Sequence, residues 1–157
     1  MKTRIALAAA VAVASLGSAA LAQDRIRAQD PNTIQAFLFE EGYPAQTMTD
    51  QYGDPLIRFR KEDQVYVVTF WDCTENANCG SVRLMTYFVV DDTVGVDFAN
   101  QLNVNNRYVT AMIDSDGDLQ VFRDESTGDV GLSRDEFRFL VQALIDVADD
   151  AQAKMAQ

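Results

Sequence analysis

The acidic run at 114–125 has the residue types that could bind a divalent cation. Leu119 stands where a twelve-residue calcium loop needs glycine for its sharp bend, and the flanking segments alternate like strands rather than helices. Asp-Gly within the run is instead a strong signal for a β-hairpin turn. We predict a hairpin, with a calcium-responsive loop as the weaker alternative. The acids that would be the ligands are Asp114, Asp116, Asp118 and Glu125.

The chain contains no histidine, so it has no imidazole group for proton transfer. Ser-His-Asp and Cys-His nucleophile systems are therefore excluded. Two carboxylates can perform general acid–base hydrolysis, so an exported hydrolase is an alternative function. The neighbouring acids all lie beside predicted turns or on a polar helix end, where solvated charge is the ordinary explanation. They are Asp72 with Glu75, Asp91 with Asp92, and Asp149 with Asp150.

The net charge and the cysteine content argue against two further classes of protein. The 157 residues include 13 Lys and Arg against 24 Asp and Glu, which gives a formal net charge of −11. Nucleic-acid binding is disfavoured, because a phosphate backbone needs positive charge opposite it. Two cysteines cannot complete a four-thiolate zinc site, and we expect no cofactor.

The first 22 residues resemble a secretory signal peptide. Met1–Arg4 is a short basic start, Ile5–Ala22 has no charge, and Ala20-Leu21-Ala22 fits a cleavage site. The alternative is a retained membrane anchor, but the uncharged stretch is alanine-rich and at the lower edge of spanning length. We predict a mature protein in the periplasm or secreted, without a membrane segment, that begins with a loose stretch at 23–30.

Cys73 and Cys79 are an even pair in an exported chain, for which a disulfide is the default. The segments at 65–71 and 81–90 are strand-like, and the stretch between them is rich in turn residues. A disulfide across so short a loop stabilises the fold by about 2 kcal/mol in the chain-entropy model. A redox-active dithiol is the alternative, although such pairs usually sit closer together at a helix N-terminus.

Periodicity predicts an α+β fold with an antiparallel sheet, in the order α-β-β-β-α-β-β-α. A single domain at 31–150 is followed by a frayed tail at 151–157. Helices are predicted at 31–41, from a cap at 91–93 through Leu102, and at 134–150 after a capping box at Ser133–Glu136. Strands are predicted at 56–60, 65–71, 81–90, 108–113 and 119–122.

Pairing Cys73 with Cys79 also predicts the two sheet faces. It places Phe70 beside Val82 and Val68 beside Leu84, on an apolar face that helices should cover. The opposite face mixes aromatic, methionine and arginine side chains, the types enriched at protein interfaces. We interpret it as a partner-binding surface, the alternative being a cover formed by the second helix or a loop. Its candidate residues are Val67, Trp71, Arg83, Met85 and Tyr87.

Several segments together resemble the YbjN-domain family, labelled bacterial sensory transduction regulators. They are 47–57, Tyr66–Cys73, Cys79–Leu84, 103–108, Asp114–Asp118 and Gly131–Phe137. The resemblance covers roughly 31–150. That family is similar in layout to the class I type III secretion chaperones, which are small acidic homodimers that hold an extended protein segment.

The resemblance implies a chaperone-like or regulatory module and supplies no catalytic residues. It also implies a homodimer that buries the second helix and the Tyr108 strand. The predicted signal peptide distinguishes the chain from the cytoplasmic chaperones. The expected function is therefore an exported, non-enzymatic module that binds a peptide or protein partner.

Overall fold

The computed structural model describes residues 25–156, and the predicted signal peptide lies outside this range. Three helices and a six-stranded antiparallel sheet, with an additional two-stranded sheet, confirm the α+β prediction. The helices are α1 (Pro31–Glu40), α2 (Val96–Asn105) and α3 (Arg134–Met155). The strands are β1 (Arg25–Ile26), β2 (Ala45–Thr49), β3 (Pro55–Lys61), β4 (Gln64–Trp71), β5 (Ser81–Phe88), β6 (Thr110–Ile113), β7 (Leu119–Ser126) and β8 (Leu132–Ser133).

The large sheet has the strand order β2-β3-β4-β5-β7-β6. The register predicted from the cysteines is confirmed, with Val68 opposite Leu84 and Phe70 opposite Val82. The predicted order missed β2, which closes one edge of the sheet against β3. Its sequence, AQTMT, has no buried residue and no apolar alternation, so periodicity gives no signal for it.

Helices α1 and α3 cover the inner face of the sheet. Tyr66, Val68 and Leu84 are fully buried on that face. The two helices also meet each other, where the rings of Phe37 and Phe137 make an edge-to-face contact with centroids 5.2 Å apart. This side of the sheet therefore holds the hydrophobic core, as predicted.

The helix boundaries follow their caps. The Asp30 side chain accepts from the Asn32 backbone N–H at the start of α1, and the Ser133–Glu136 capping box starts α3. Helix α2 differs from the prediction, because it begins at Val96 after Gly95. Asp91 instead accepts the backbone N–H of Thr93 at 2.9 Å, so these residues cap a turn rather than the helix.

Both ends of the described chain are more ordered than expected. The stretch 23–30 was predicted to be loose, but β1 pairs with β8, and Ile26 and Ala28 are buried. Ala28 N–H also donates to Thr127 Oγ1 at 3.0 Å in a buried contact. The frayed tail at 151–157 was likewise too long, since α3 continues to Met155 and buries Ala151. The core is therefore extended by apolar residues at both ends, namely Ile26, Ala28 and Ala151.

Candidate functional site

The outer face of the large sheet, here called the open face, consists of the strand residues that alternate with the core residues. Strand register defines one row that crosses all six strands, with neighbours about 4.8 Å apart. Three adjacent members in the middle of the row are apolar, where an open antiparallel sheet normally carries polar side chains. In sheet order the row is Gln46, Arg58, Val67, Met85, Phe122 and Thr110.

No strand residue of the open face is buried by the rest of the described chain. The face is therefore not covered by α2 or by a described loop, which was the alternative to a binding surface. Trp71 is 53% exposed and Tyr87 is 51% exposed. Trp and Tyr are among the residue types that contribute most of the binding energy at protein interfaces.

All five predicted partner-binding residues lie on the open face. Val67 and Met85 are direct cross-strand neighbours on β4 and β5. Trp71 lies opposite Ser81 at one end of this strand pair, while Tyr87 lies opposite Gln120 toward the other end. The structure thus brings the five side chains onto one surface, and their role in binding remains a prediction.

Arg83 is held rigidly at the centre of this surface. Its Nε and Nη2 donate to the two carboxylate oxygens of Asp124, at 2.6 and 2.7 Å. Its guanidinium lies 4.1 Å from the ring centroid of Phe122 and 5.7 Å from that of Trp71. The hydrogen bond to Asp124 raises the pKa of Arg83, and partial burial opposes that shift. Arg83 therefore organises two aromatic rings, and its charge is already paired.

Sequence reasoning missed several members of the open face. Phe122 was missed because β7 was predicted only as a short return strand at 119–122, and no register against β5 was predicted. Arg58 and Arg60 were missed because the residues of β3 were not assigned to the two faces of the sheet. Both are exposed on the open face. Alternation along β3 and β7 indicates which of their residues share a face, although it does not indicate which strands lie beside them. Two exposed methionines, Met48 and Met112, extend the apolar surface toward the sheet edges.

The loop at one end of the open face is closed by the Cys73–Cys79 disulfide. Within it, Thr74 and Ala77 exchange two backbone hydrogen bonds across Glu75 and Asn76, both of which have positive φ. This is the pattern of a tight two-residue hairpin turn, which usually needs Gly or Asn at such positions. Asn76 Nδ2 also donates to Tyr52 O at 3.0 Å, which ties this loop to the β2–β3 turn.

The acidic run at 114–125 forms a hairpin, as predicted. Asp114 Oδ1 accepts the backbone N–H groups of Asp116 and Asp118, each at 3.0 Å. Glu125 is six residues along β7 from Leu119, roughly 20 Å from the turn, and is paired with Arg123. The four candidate ligands are therefore not brought together, and no group of three or more acidic or cysteine side chains within 25–156 could hold a metal ion.

The acidic residues considered for hydrolysis form ordinary hydrogen bonds and ion pairs. Asp72 accepts from Ser81 Oγ at 2.9 Å at the loop beside the disulfide. Asp149 pairs with Lys61 at 2.6 Å, and Asp150 pairs with Lys154 on the same helix. The hydrogen bond to Asp149 raises the pKa of Lys61. None of these contacts sets two carboxylates around a shared cavity.

The fold and the open face together define an α+β protein whose sheet is covered on one side. The family model for YbjN, described as a putative bacterial sensory transduction regulator, matches residues 30–157, and the chain belongs to this family. The family suggests a regulatory or protein-binding role and is not known as enzymatic. No curated protein matches the chain. None of the helices in the described part of the chain is long and apolar enough to cross a membrane.

Proposed function

We propose that this protein is an exported, non-enzymatic module that binds a segment of another protein on its open face, in a regulatory or chaperone-like role. One observation carries the proposal: the apolar neighbours Val67, Met85 and Phe122 lie in the middle of a sheet face that the described residues leave uncovered. Exposed apolar surface of this kind is costly in water unless a partner uses it.

The contacts among the side chains of the face support binding. Arg83 is fixed by Asp124 and by two aromatic rings, and Trp71 Nε1 donates to Thr69 Oγ1 at 2.9 Å. Side chains that are ordered before binding lose less conformational entropy on association. Methionines on the same face provide an adaptable surface that accepts different apolar side chains.

The test is a selection of displayed peptides against the mature protein, followed by binding measurements with labelled peptides. Combining Trp71→Ala with Tyr87→Ala should lower the affinity at least tenfold while the melting temperature stays nearly unchanged. The matched control is Phe39→Ala, since Phe39 is a 72% exposed aromatic on α1, outside the open face. Equal losses for the control and the double variant would contradict the proposal, as would unfolding of the double variant.

Export is proposed from the signal-like pattern at 1–22, and a homodimer from the exposed apolar residues around α2. Val96 is 64% exposed, Val104 is 86% exposed, and Tyr108 packs edge-to-face against Phe139 at 4.8 Å between centroids. Light scattering of the mature protein should give twice the monomer mass, and Val104→Asp should return it to the monomer. A monomer at high concentration without any substitution would contradict the dimer.

A further inference from the structure

The charges on the open face differ in sign from those of the chain as a whole. The chain has a formal net charge of −11. The strand residues of the open face nevertheless include three arginines, Arg58, Arg60 and Arg83, and one acid, Asp124. Because Arg83 and Asp124 neutralise each other, the remaining charge of the face comes from Arg58 and Arg60.

Arg58 and Arg60 are positioned to bind an anionic group. They are alternate residues of β3, so their side chains emerge on the same face about 7 Å apart. Both are exposed, and within residues 25–156 neither guanidinium forms a side-chain hydrogen bond or an ion pair, while the Arg60 backbone N–H donates to Pro44 O at 3.2 Å. Together with Pro44, Ala45 and Gln46 they line a groove of about 340 Å³ at the β2–β3 side of the sheet.

The apolar centre of the face is continuous with these two cations. Arg58 is the cross-strand neighbour of Val67, which is followed in the row by Met85 and Phe122. Three strand spacings separate Arg58 from Phe122, or about 14 Å. That distance corresponds to about four residues of extended chain. A single short segment could therefore place a carboxylate at the arginines and apolar side chains on the row.

We infer that the partner segment is acidic at one end and apolar beside it, and that its carboxylates bind Arg58 and Arg60 while its apolar side chains lie on Val67, Met85 and Phe122. This inference rests on the proposed function and adds the chemistry of the partner. Arginine suits this role, because its planar guanidinium can bind a carboxylate through two hydrogen bonds. Electrostatic complementarity of this kind sets which partner binds and in which orientation.

Two synthetic peptides test the inference. They share an alternating leucine and phenylalanine segment, which is preceded by two glutamates in one peptide and by two lysines in the other. Fluorescence anisotropy should show at least tenfold tighter binding of the glutamate peptide to the mature protein. Combining Arg58→Glu with Arg60→Glu should reverse this preference. The matched control is Arg107→Glu, at an exposed arginine outside the open face, which should leave the preference unchanged.

The outcomes separate this inference from the proposed function. If both peptides bind equally and both are weakened by Trp71→Ala with Tyr87→Ala, the charge preference is wrong and the binding face stands. If neither peptide binds, the inferred partner chemistry is wrong, while the display selection tests the face independently. If phosphatidylglycerol vesicles bind through Arg58 and Arg60 and the glutamate peptide does not, the cations recognise a lipid surface and the inference is overturned.

Discussion

The two faces of the large sheet are built from the same strands and have opposite surroundings. On β5, Leu84 is fully buried beneath the helices, while its neighbour Met85 on the open face keeps part of its surface in solvent. Burial of apolar area is the main favourable contribution to folding. The inner face therefore supplies most of the stability, and the apolar side chains of the open face retain surface that a partner can still bury.

The largest expected difference between the faces concerns adjacent residues of β5. Leu84→Ala should lower the free energy of unfolding by about 2–5 kcal/mol, because it leaves a cavity in the packed core. Met85→Ala should lower it by less than about 1 kcal/mol, since solvent already reaches this side chain. Urea unfolding of both variants measures the two values. Equal losses would show that Met85 is covered in the folded protein and that the open face is not open.

Loss of the disulfide should have an intermediate effect. Combining Cys73→Ala with Cys79→Ala should lower the free energy of unfolding by about 2 kcal/mol, because the unfolded chain gains freedom in a short loop. Chemical denaturation of the wild type with and without a reductant gives the matched comparison. The reductant should have no effect on the double variant. A stability unchanged by either treatment would mean that the other contacts of the loop are sufficient to hold it.

Breaking the Arg83–Asp124 pair should alter the open face more than the stability. Asp124 is exposed, so Asp124→Ala should lower the free energy of unfolding by less than about 1 kcal/mol. It should, however, release the guanidinium that lies between Trp71 and Phe122. Because Trp71 is the single tryptophan, its emission and its quenching by iodide report directly on this change. Unchanged quenching would show that the rings hold their positions without Asp124.

The sequence was sufficient to predict the strongly periodic elements and the central strand pair. The apolar stripe of α3 and the cysteine spacing on β4–β5 each reflect a local rule, and both are confirmed. The polar edge strand β2 and the start of α2 were missed. Strand β2 forms because it pairs with β3, so the residues of β2 need no apolar pattern of their own. At α2, an Asx-type turn at Asp91 competed with the helix cap and was preferred.

The candidate site was also predictable only in part, because some of its members are placed by strand pairing rather than by a local pattern. Alternation along β4 and β5 placed Val67, Trp71 and Met85 on one face. The neighbours Phe122 and Arg58 come from strands whose pairing depends on the whole sheet order, in which β7 inserts between β5 and β6. Long-range strand order has no local sequence signal, so the extent and the charge of the open face required the structure.

The smallest expected effect is a loss of stability in acid, which arises from carboxyl groups on the covered side of the sheet. On the covered side, α1 and α3 are joined by Arg138, which donates to both carboxylate oxygens of Glu41, at 2.8 and 2.9 Å. This hydrogen bonding lowers the pKa of Glu41 below its ordinary value of 4.5. The Ser133 backbone N–H similarly lowers the pKa of Glu136 in the capping box.

A carboxyl group with a lowered pKa in the folded state stabilises the fold at pH values above its ordinary pKa. This stabilisation is lost as the pH falls through the lower pKa of the folded state. The melting temperature should therefore decrease slightly below about pH 4.5, and Glu41→Gln should reduce that decrease while leaving peptide binding at neutral pH unchanged. Differential scanning calorimetry from pH 7 to pH 3 measures the change. A Glu41→Gln variant with the same acid dependence as the wild type would show that the Arg138–Glu41 ion pair does not contribute to the acid response.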